Sequence, residues 1–230
     1  MKARLTLVSV LRSSVAAFFD TDSGFLATLL GLFIRPGIVV SNYVEGKTVP
    51  YVHPGRYLIV AIAALQITIG ITGGIGDFAA GFAEASGGLE NLSQTQQDSE
   101  VLVQDFLFVV MLLGLPLTAA IQRLVFWRSV RNFVEHFVCV TYIYAQQTVV
   151  TNLLLISDVL LPRPGYIFSI LFFAIPGGLY VWTLVVFTRS GRFLGTLKGL
   201  LMLALSMIVN VIVVAFVLGV IRGIYNAAGA

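Results

Sequence analysis

The sequence predicts an all-α integral membrane protein with about five transmembrane helices, and three observations lead to this fold class. Hydrophobic residues make up 58% of the 230-residue chain and charged residues only 11%, whereas soluble domains carry about a quarter of their residues as charges. The apolar residues form runs of about 20, the length that a helix needs to cross a hydrocarbon core about 30 Å thick. Finally, nearly all basic residues lie before the first run or between alternate pairs of runs.

Five apolar runs are long enough to span a membrane. They cover residues 56–76, 102–121, 133–157, 166–187 and 197–221. A shorter apolar stretch at 25–34 ends at Arg35-Pro36, where proline prevents smooth continuation of a helix, which favours a half-buried interfacial or re-entrant helix. We therefore divide the chain into a cytoplasmic interfacial segment that ends in a Pro/Gly/Tyr loop, 1–55, and a single transmembrane domain, 56–230.

The distribution of basic residues predicts the orientation, because positively charged loops are retained in the cytoplasm. Six Lys and Arg residues lie before or at the start of the first run, three lie between the second and third runs, and three more between the fourth and fifth, so 12 of the 14 fall on one side. The loop 77–101 has no basic residue and carries five acidic ones. The N-terminus is therefore expected inside, the acidic loop 77–101 outside, and the C-terminus outside.

The first 20 residues have an amphipathic pattern. At helical spacing, Leu5, Val8 and Leu11 fall on one side, and Arg4 and Arg12 fall largely on another. This pattern predicts an N-terminal interfacial amphipathic helix on the cytoplasmic membrane surface, and it fits a helix packed under the bundle equally well.

The third apolar run differs from the others because it carries polar side chains on two sides, which predicts a central helix with several neighbours. The candidate intramembrane polar site consists of Glu135, His136, Tyr142, Gln146 and Gln147. One interpretation of the Glu135-His136 pair is an ion-paired helix end, with Arg131 four residues earlier and the histidine bonded to a neighbouring carbonyl. The other is a proton-handling or headgroup-binding pair, since histidine titrates at about pH 6.5. Hydrogen bonding between helices is favoured over a substrate site for Gln146-Gln147.

The segment 35–56 is the second candidate site, because it combines prolines, glycines, tyrosines and basic residues just before the first run. The candidate headgroup or partner site consists of Arg35, Tyr43, Lys47, Tyr51 and Arg56. Tyrosines and basic side chains at this depth favour phospholipid headgroups. Anchoring to headgroups is therefore the simpler interpretation, and a specific anion or partner site is the sharper alternative.

Other chemistry has little support in the sequence. A single cysteine, Cys139, leaves no disulfide and no cysteine zinc site within one chain. We expect no cofactor, no metal and no nucleic-acid partner, since membrane topology explains the net charge of +3. Three sets of glycines have the four-residue spacing that lets helices approach closely, which favours tight packing: Gly70/Gly74, Gly191/Gly195/Gly199 and Gly219/Gly223.

One pattern before the first run is similar to a known family. An Asp-x-x-x-Gly element leads into a short apolar helix and is followed by Pro, Tyr-x-x-Gly-Lys and Tyr-x-x-Pro, at Asp20, Gly24, Thr28, Pro36-Gly37, Tyr43, Gly46-Lys47, Tyr51 and Pro54. It resembles uncharacterised bacterial multi-pass inner-membrane proteins, grouped as a domain of unknown function. Glu135-His136 is similar to a Glu-His pair at the start of a later span in that family.

The resemblance implies the fold and a bacterial inner-membrane location, and it supplies no chemistry. Many members of the family begin with a cysteine-rich zinc ribbon. This chain has no cysteine before Cys139, so no metal-dependent role of that ribbon carries over.

Three functions fit these features. The leading hypothesis is a non-enzymatic accessory or assembly subunit that binds lipid headgroups or a membrane partner through segment 35–56. The alternative is a small, homo-oligomeric, proton-coupled transporter or permease-like protein that uses the polar third run, with helices interrupted at Pro116 and Pro176 lining a path. A membrane-embedded enzyme acting on lipid ranks lowest, since no nucleophile or metal cluster is visible in the sequence.

Overall fold

The computed structural model describes residues 22–72, 107–161 and 165–228, and every regular element in these ranges is an α-helix. The helices are α1 (Asp22–Ile34), α2 (Pro36–Val44), α3 (Pro54–Thr72), α4 (Leu107–Val125), α5 (Phe133–Leu160), α6 (Gly165–Phe187) and α7 (Arg192–Ala228). The predicted all-helical fold is confirmed for these ranges. The predictions for the amphipathic N-terminus and for the acidic loop 77–101 lie outside the described residues.

Four helices are long and apolar enough to cross a membrane, over Pro54–Thr72, Phe133–Leu160, Ile170–Phe187 and Arg192–Ile221. They correspond to the first, third, fourth and fifth predicted runs. The second run corresponds to α4, which contains a shorter apolar stretch, Val109–Val125. Large apolar side chains are exposed along the outer faces of these helices, among them Ile67, Ile71, Val211 and Phe216. Such extended apolar surfaces are suited to lipid and not to water.

Helix α5 is central in the bundle, as its polar sequence predicts. Of its most apolar window, 72% is buried, compared with 28–39% for the other three long helices. It contacts α1, α2, α3, α4 and α6. A helix with polar groups on two sides needs neighbours on both, because an unpaired polar group in hydrocarbon carries a large free-energy penalty.

The segment predicted as a loop before the first run is helical in part. α2 begins at Pro36, and proline is tolerated there because the first N–H groups of a helix have no partner within the helix. The break from α1 lies at Arg35, whose φ of −146° and ψ of 57° are not helical. Pro36, Gly37, Val39 and Val40 are buried, so α2 packs against the bundle as part of its core.

Two glycines of the predicted close-packing motif bring α7 against its neighbours. A Cβ atom at Gly199 would lie 2.9 Å from Val181 Cγ1 on α6, and one at Gly195 would lie 2.9 Å from Ser190 Cβ and 3.4 Å from the Val185 methyl carbons. Four other glycines with this spacing, Gly70, Gly191, Gly219 and Gly223, would each carry a Cβ atom that meets nothing within 4 Å, and Gly74 lies outside the described residues. The prediction of close packing is thus confirmed at Gly195 and Gly199 and wrong at the other four described positions.

The expected helix interruptions at two prolines do not occur. Pro116 lies inside α4 and Pro176 lies inside α6, and both helices continue through them. Proline is tolerated inside membrane helices because neighbouring groups satisfy the freed backbone atoms. The prediction of broken helices at these positions is therefore wrong.

The contact between α2 and α6 depends on Gly37. A Cβ atom at this position would lie 2.7 Å from Val186 Cγ1 and 3.0 Å from the Thr183 carbonyl oxygen. We expect Gly37→Ala to lower the free energy of unfolding by about 1–3 kcal/mol, the usual cost of overpacking. The measurement is denaturant unfolding in mixed micelles.

The matched control is Gly70→Ala on α3, where the added Cβ meets nothing within 4 Å. This variant is expected to be neutral or slightly stabilising, since alanine is the better helix former. Equal stability of the two variants would contradict the described α2–α6 contact.

Candidate binding site at the basic end of the bundle

A tight turn follows α2 and presents residues 45–50 at the surface of the protein. Gly46 adopts the left-handed region with φ of 90°, which glycine tolerates without steric cost. The Lys47 N–H donates to the Asn42 carbonyl at 2.9 Å, and the Tyr51 N–H donates to the Thr48 carbonyl at 3.0 Å. All six residues from Glu45 to Pro50 are exposed. The turn is thus ordered by its own backbone while its side chains face outwards.

After the turn, the backbone N–H and carbonyl of Val52 form hydrogen bonds with side chains of two helices, α1 and α5. We call this arrangement the Val52 clamp. The Val52 N–H donates to Thr28 Oγ1 on α1 at 2.9 Å, and the Thr28 hydroxyl in turn donates to the Gly24 carbonyl at 2.8 Å. The Tyr142 hydroxyl on α5 donates to the Val52 carbonyl at 2.5 Å. Thr28 and Tyr142 are fully buried. Both polar atoms of this buried backbone are therefore satisfied, which fixes the segment onto α1 and α5.

An aromatic cluster surrounds the Val52 clamp. The rings of Tyr43 and Tyr142 meet edge to face with centroids 5.4 Å apart, and the Tyr57 ring lies 6.4 Å from Tyr142. Phe25 on α1 packs against Tyr57 at 5.5 Å. Partial burial raises the pKa of the Tyr43 hydroxyl above its usual value. Tyr43, one of the two tyrosines of the predicted headgroup site, is thus partly buried in the interior of the protein.

Glu45 joins three connections of the chain at one end of the bundle. Its Oε1 atom lies 3.0 Å from Arg131 Nη2, just before α5, and 2.9 Å from Arg189 Nη2, between α6 and α7. The hydrogen bond from Arg131, followed by the charges of Arg131, Arg189 and Lys47, lowers the pKa of the Glu45 carboxyl below its usual value. We call this arrangement the Glu45 triad. It gathers the basic connections of the sequence at a single end, which we call the basic end.

Glu135 serves the structure of this end. The Asn132 N–H donates to Glu135 Oε2 at 2.7 Å, and the Glu135 N–H donates to Asn132 Oδ1 at 2.9 Å, forming a reciprocal cap at the start of α5. Its other carboxylate oxygen, Oε1, is 3.9 Å from Arg131 Nη1. The interpretation of an ion-paired helix end therefore agrees with the geometry.

Beside the Glu45 triad lies a cavity of about 110 Å³, enough for about three or four waters at liquid density. Its polar lining comes from the three connections and the first turn of α5: Glu45, Ser129, Arg131, Glu135, Thr188 and Arg189. Its two guanidinium groups are donors that suit a phosphate or carboxylate group, and the carboxylates of Glu45 and Glu135 lie beside them. Glu45 already supplies such a carboxylate from within the chain.

The deeper polar groups of α5 bond to its neighbouring helices. Tyr57 on α3 donates its hydroxyl to Gln146 Oε1 at 2.7 Å, and Asn152 Nδ2 donates to the Ala61 carbonyl at 3.3 Å. On the other side of α5, the Tyr144 hydroxyl is 3.0 Å from Thr118 Oγ1 and accepts from Asn210 Nδ2 at 2.9 Å. These bonds join α5 to α3, α4 and α7. A cavity of only about 10 Å³ borders Gln146 and Gln147.

His136 is fully buried between α4 and α6. Its Nδ1 atom is 2.9 Å from Gln122 Nε2, and its ring meets Phe187 edge to face at 5.7 Å. The Nε2 atom has no hydrogen-bond partner in the described part of the chain. The partner of this histidine is thus the amide nitrogen of a side chain and not the neighbouring carbonyl expected from the sequence.

The N-terminal part of this site matches a family model. Residues 22–65 are similar to a family described as a protein of unknown function (DUF3667). The match covers less than a quarter of the chain, and it includes both Thr28 and Val52 of the clamp. The search of curated proteins and the search of solved structures gave no match.

The residues of the predicted headgroup site differ in exposure, and this site meets the predicted intramembrane site at Tyr142. Within the headgroup site, Arg35 and Lys47 are exposed, whereas Tyr43, Tyr51 and Arg56 are partly buried. Tyr51 accepts a hydrogen bond from Asn42 Nδ2 at 3.3 Å. Tyr142, assigned to the intramembrane site, contacts both Tyr43 and Val52, so the matched N-terminal segment and the polar helix meet there.

Several important residues were missed by the sequence analysis. Thr28, Val52, Glu45 and Arg189 hold the site together, and none was assigned to it. Two signals were available: Thr28 belongs to the pattern that resembles a known family, and Glu45 is an acidic residue in a region otherwise rich in basic ones. Among the described residues, no three His, Cys, Asp or Glu side chains are grouped closely enough to hold a metal ion.

The Glu45 triad makes the stability of the protein dependent on acid pH. The folded-state pKa of Glu45 is lowered, so its contribution is present above the usual carboxyl pKa of about 4.3 and is lost as pH falls through the folded-state value. We expect the wild-type protein to be more stable than Glu45→Gln at neutral pH, and the difference to shrink on acidification. Thermal unfolding in detergent across this pH range measures the difference.

Arg189→Gln is the companion variant, since it removes one partner and leaves the carboxylate. Its stability should still fall on acidification, but less than that of the wild type, because Arg131 still pairs with Glu45. A difference between wild type and Glu45→Gln that is the same at every pH would contradict the triad.

Proposed function

We propose that this chain is a non-enzymatic five-span protein of the bacterial inner membrane, with its basic end and N-terminus in the cytoplasm and its C-terminus outside. We propose further that it acts as an accessory or assembly subunit and binds a membrane partner or anionic lipid headgroups at the basic end. The observation that carries this proposal is the Glu45 triad, which gathers the two basic connections of Arg131 and Arg189 around one exposed, ordered turn.

The turn is pre-organised for recognition. It is fixed by Glu45 at its start and by the Val52 clamp after its end. Its apolar side chain Val49, two residues after Lys47, is 95% exposed. A partner that binds a rigid turn avoids most of the entropy cost of ordering a flexible loop. An apolar side chain next to a cation favours a partner surface with both apolar and acidic character.

Exposed aromatic and basic residues at the same end support its location at the membrane surface. Trp127 is exposed, and the Arg128 guanidinium lies 4.9 Å from its ring centroid. Phe193 is exposed near Arg192 at the start of α7. Aromatic rings favour the headgroup region, and basic residues favour the cytoplasmic side and its anionic lipids.

The internal hydrogen bonds of α5 support a structural role for its polar groups. Tyr57 with Gln146, and Thr118 with Tyr144 and Asn210, bond to one another across helix interfaces. Polar side chains used in this way join helices in a medium where apolar burial gives little association energy.

A homo-oligomeric, proton-coupled transporter is the second candidate function, and His136 is the observation that favours it. This histidine is fully buried beside Gln122, and its Nε2 atom has no partner within the described ranges. Glu135, the other half of the predicted pair, already caps α5. Purification of the protein as a lone homo-oligomer, without a protein partner, would favour transport.

The proposed topology is tested with single cysteines and a membrane-impermeant maleimide. The native Cys139 is buried, so it gives little background labelling and Cys139→Ser serves as the parent. In intact cells with a permeabilised outer membrane, we expect Ser93→Cys to react and Val49→Cys to react only after inner-membrane lysis. Labelling of Val49→Cys in intact cells would contradict the orientation.

Partner binding is tested by affinity purification in mild detergent, with mass spectrometry of co-purified proteins and lipids. Two valines that are each 95% exposed form a matched pair at the basic end, Val49 in the turn and Val130 between α4 and α5. If a protein docks on the turn, Val49→Glu lowers its recovery about tenfold, a loss of about 1.4 kcal/mol, and Val130→Glu does not.

The same pair distinguishes headgroup binding. Each variant adds one negative charge near the membrane surface, so anionic-lipid recovery should fall in both to a similar extent. Unchanged recovery of both proteins and lipids in the two variants would contradict the proposed binding surface.

A further inference from the structure

A groove of about 600 Å³ lies between α6 and α7, on a face of the bundle that the proposed partner surface does not use. This volume falls within the range of about 300–1,000 Å³ that is typical of ligand pockets. Most of its lining is apolar, including Phe173, Val181, Val185 and Leu203. The groove is open to the outside of the bundle, where the neighbouring faces of α6 and α7 carry exposed apolar side chains.

Glycines on α6 lie along the groove, and one of them leaves it open. Gly177 and Gly178 both line it on α6, and a Cβ atom at Gly178 would meet no atom within 4 Å. A Cβ atom at Gly177 would lie 3.1 Å from Leu203 Cδ2 on α7. The close approach of α7 at Gly199 brings the two helices together beside this empty space.

The length of the groove matches one leaflet of a bilayer. Its lining on α6 runs from Phe173 to Val185, and on α7 from Arg192 to Leu203. At about 1.5 Å per residue, these segments extend for about 18 Å and 17 Å. Half of a hydrocarbon core of about 30 Å is about 15 Å. One extended acyl chain entering from one membrane surface would therefore occupy this length.

Charge is confined to one end of the groove. Arg192, at the start of α7, is the one charged residue among its lining residues, and its guanidinium forms no ion pair within the described residues. The start of α7 also carries the positive end of the helix dipole. Arg192 is three residues after Arg189, so this end lies near the basic end of the bundle, where headgroups of the same leaflet are expected.

We propose that the α6–α7 groove binds one acyl chain of an anionic phospholipid, with the lipid phosphate paired to Arg192. A second copy of this chain would also cover the apolar surface of the groove. It would not explain why Arg192 lies at one end of the groove or why the groove is as long as one leaflet. The inference rests on the proposed position of the basic end at the membrane surface. It can fail separately from the proposed partner surface, because none of the residues in the turn 45–50 lines the groove.

The test is photo-crosslinking in phosphatidylcholine vesicles that contain a minor fraction of phosphatidylglycerol with a photoactivatable group in its acyl chain. Labelled positions are mapped by mass spectrometry of peptides. In the wild-type protein we expect labelling concentrated on the facing sides of α6 and α7. Gly178→Leu fills the groove and should lower this labelling about tenfold, equivalent to about 1.4 kcal/mol.

Gly219→Leu is the matched control, because it adds the same side chain at another exposed glycine whose Cβ would also meet nothing within 4 Å. This variant should be labelled like the wild type. Equal labelling of Gly178→Leu and Gly219→Leu, or labelling spread evenly over all exposed helices, would overturn the proposal. A shift of Gly178→Leu to a smaller oligomer would assign the groove to a second copy instead and would also overturn it.

Arg192→Gln tests the headgroup and remains informative if Gly178→Leu does not fold. A phosphatidylcholine probe with the same acyl group is compared with the phosphatidylglycerol probe. We expect the preference for phosphatidylglycerol to fall about fivefold, corresponding to about 1 kcal/mol for one cation near an anionic surface. An unchanged preference in a folded Arg192→Gln protein would overturn the assignment of Arg192 to the phosphate.

Discussion

The position of the N-terminal helices depends on the buried backbone of Val52, whose N–H and carbonyl are bonded by Thr28 and Tyr142. A buried backbone group without a partner costs about 1–3 kcal/mol, and more in an apolar medium such as hydrocarbon. Loss of either side chain would leave such a group unpaired and release the segment from α1 or from α5. On the other side of the turn, α2 contacts α6, and Tyr43 contacts Tyr142, so the chain is held both before and after the turn.

Polar groups in the described bundle serve different purposes according to depth. Within α5, Gln146 and Asn152 bond to α3, and Tyr144 bonds to α4 and α7, so these groups hold helices together. At the basic end, Glu45 bonds to two arginines while the neighbouring side chains of its turn remain exposed. Recognition is therefore more readily assigned to the end of the bundle than to its middle, which agrees with the proposed accessory role.

Hydropathy predicted the helical class and the approximate bounds of the long helices, because the length and composition of a run are local properties of the sequence. The two-sided polarity of α5 also predicted its central position. Local patterns failed for α2, where proline begins a helix, and for Pro116 and Pro176, which lie inside continuous helices. In each case packing against neighbours decided the outcome, and a single sequence carries no record of that packing.

The partners within the candidate site were not predictable for the same reason. Tyr142 and Val52 are 90 residues apart, and Glu45 and Arg189 are 144 apart. The pairing of Glu135 with Arg131 was predictable, because these opposite charges are four residues apart, about one helical turn. No periodicity connects the turn after α2 with the connection between α6 and α7.

Helix α7 has a consequence for the membrane around the protein. Its 37 residues, Arg192–Ala228, correspond to a length of about 55 Å. A bilayer with its headgroups is thinner, about 40–45 Å. In a bilayer, a helix of this length must tilt, extend beyond the headgroups or thicken the lipid next to it. The protein should therefore respond to bilayer thickness, and membranes that differ in acyl-chain length would hold α7 at different inclinations to the remaining helices.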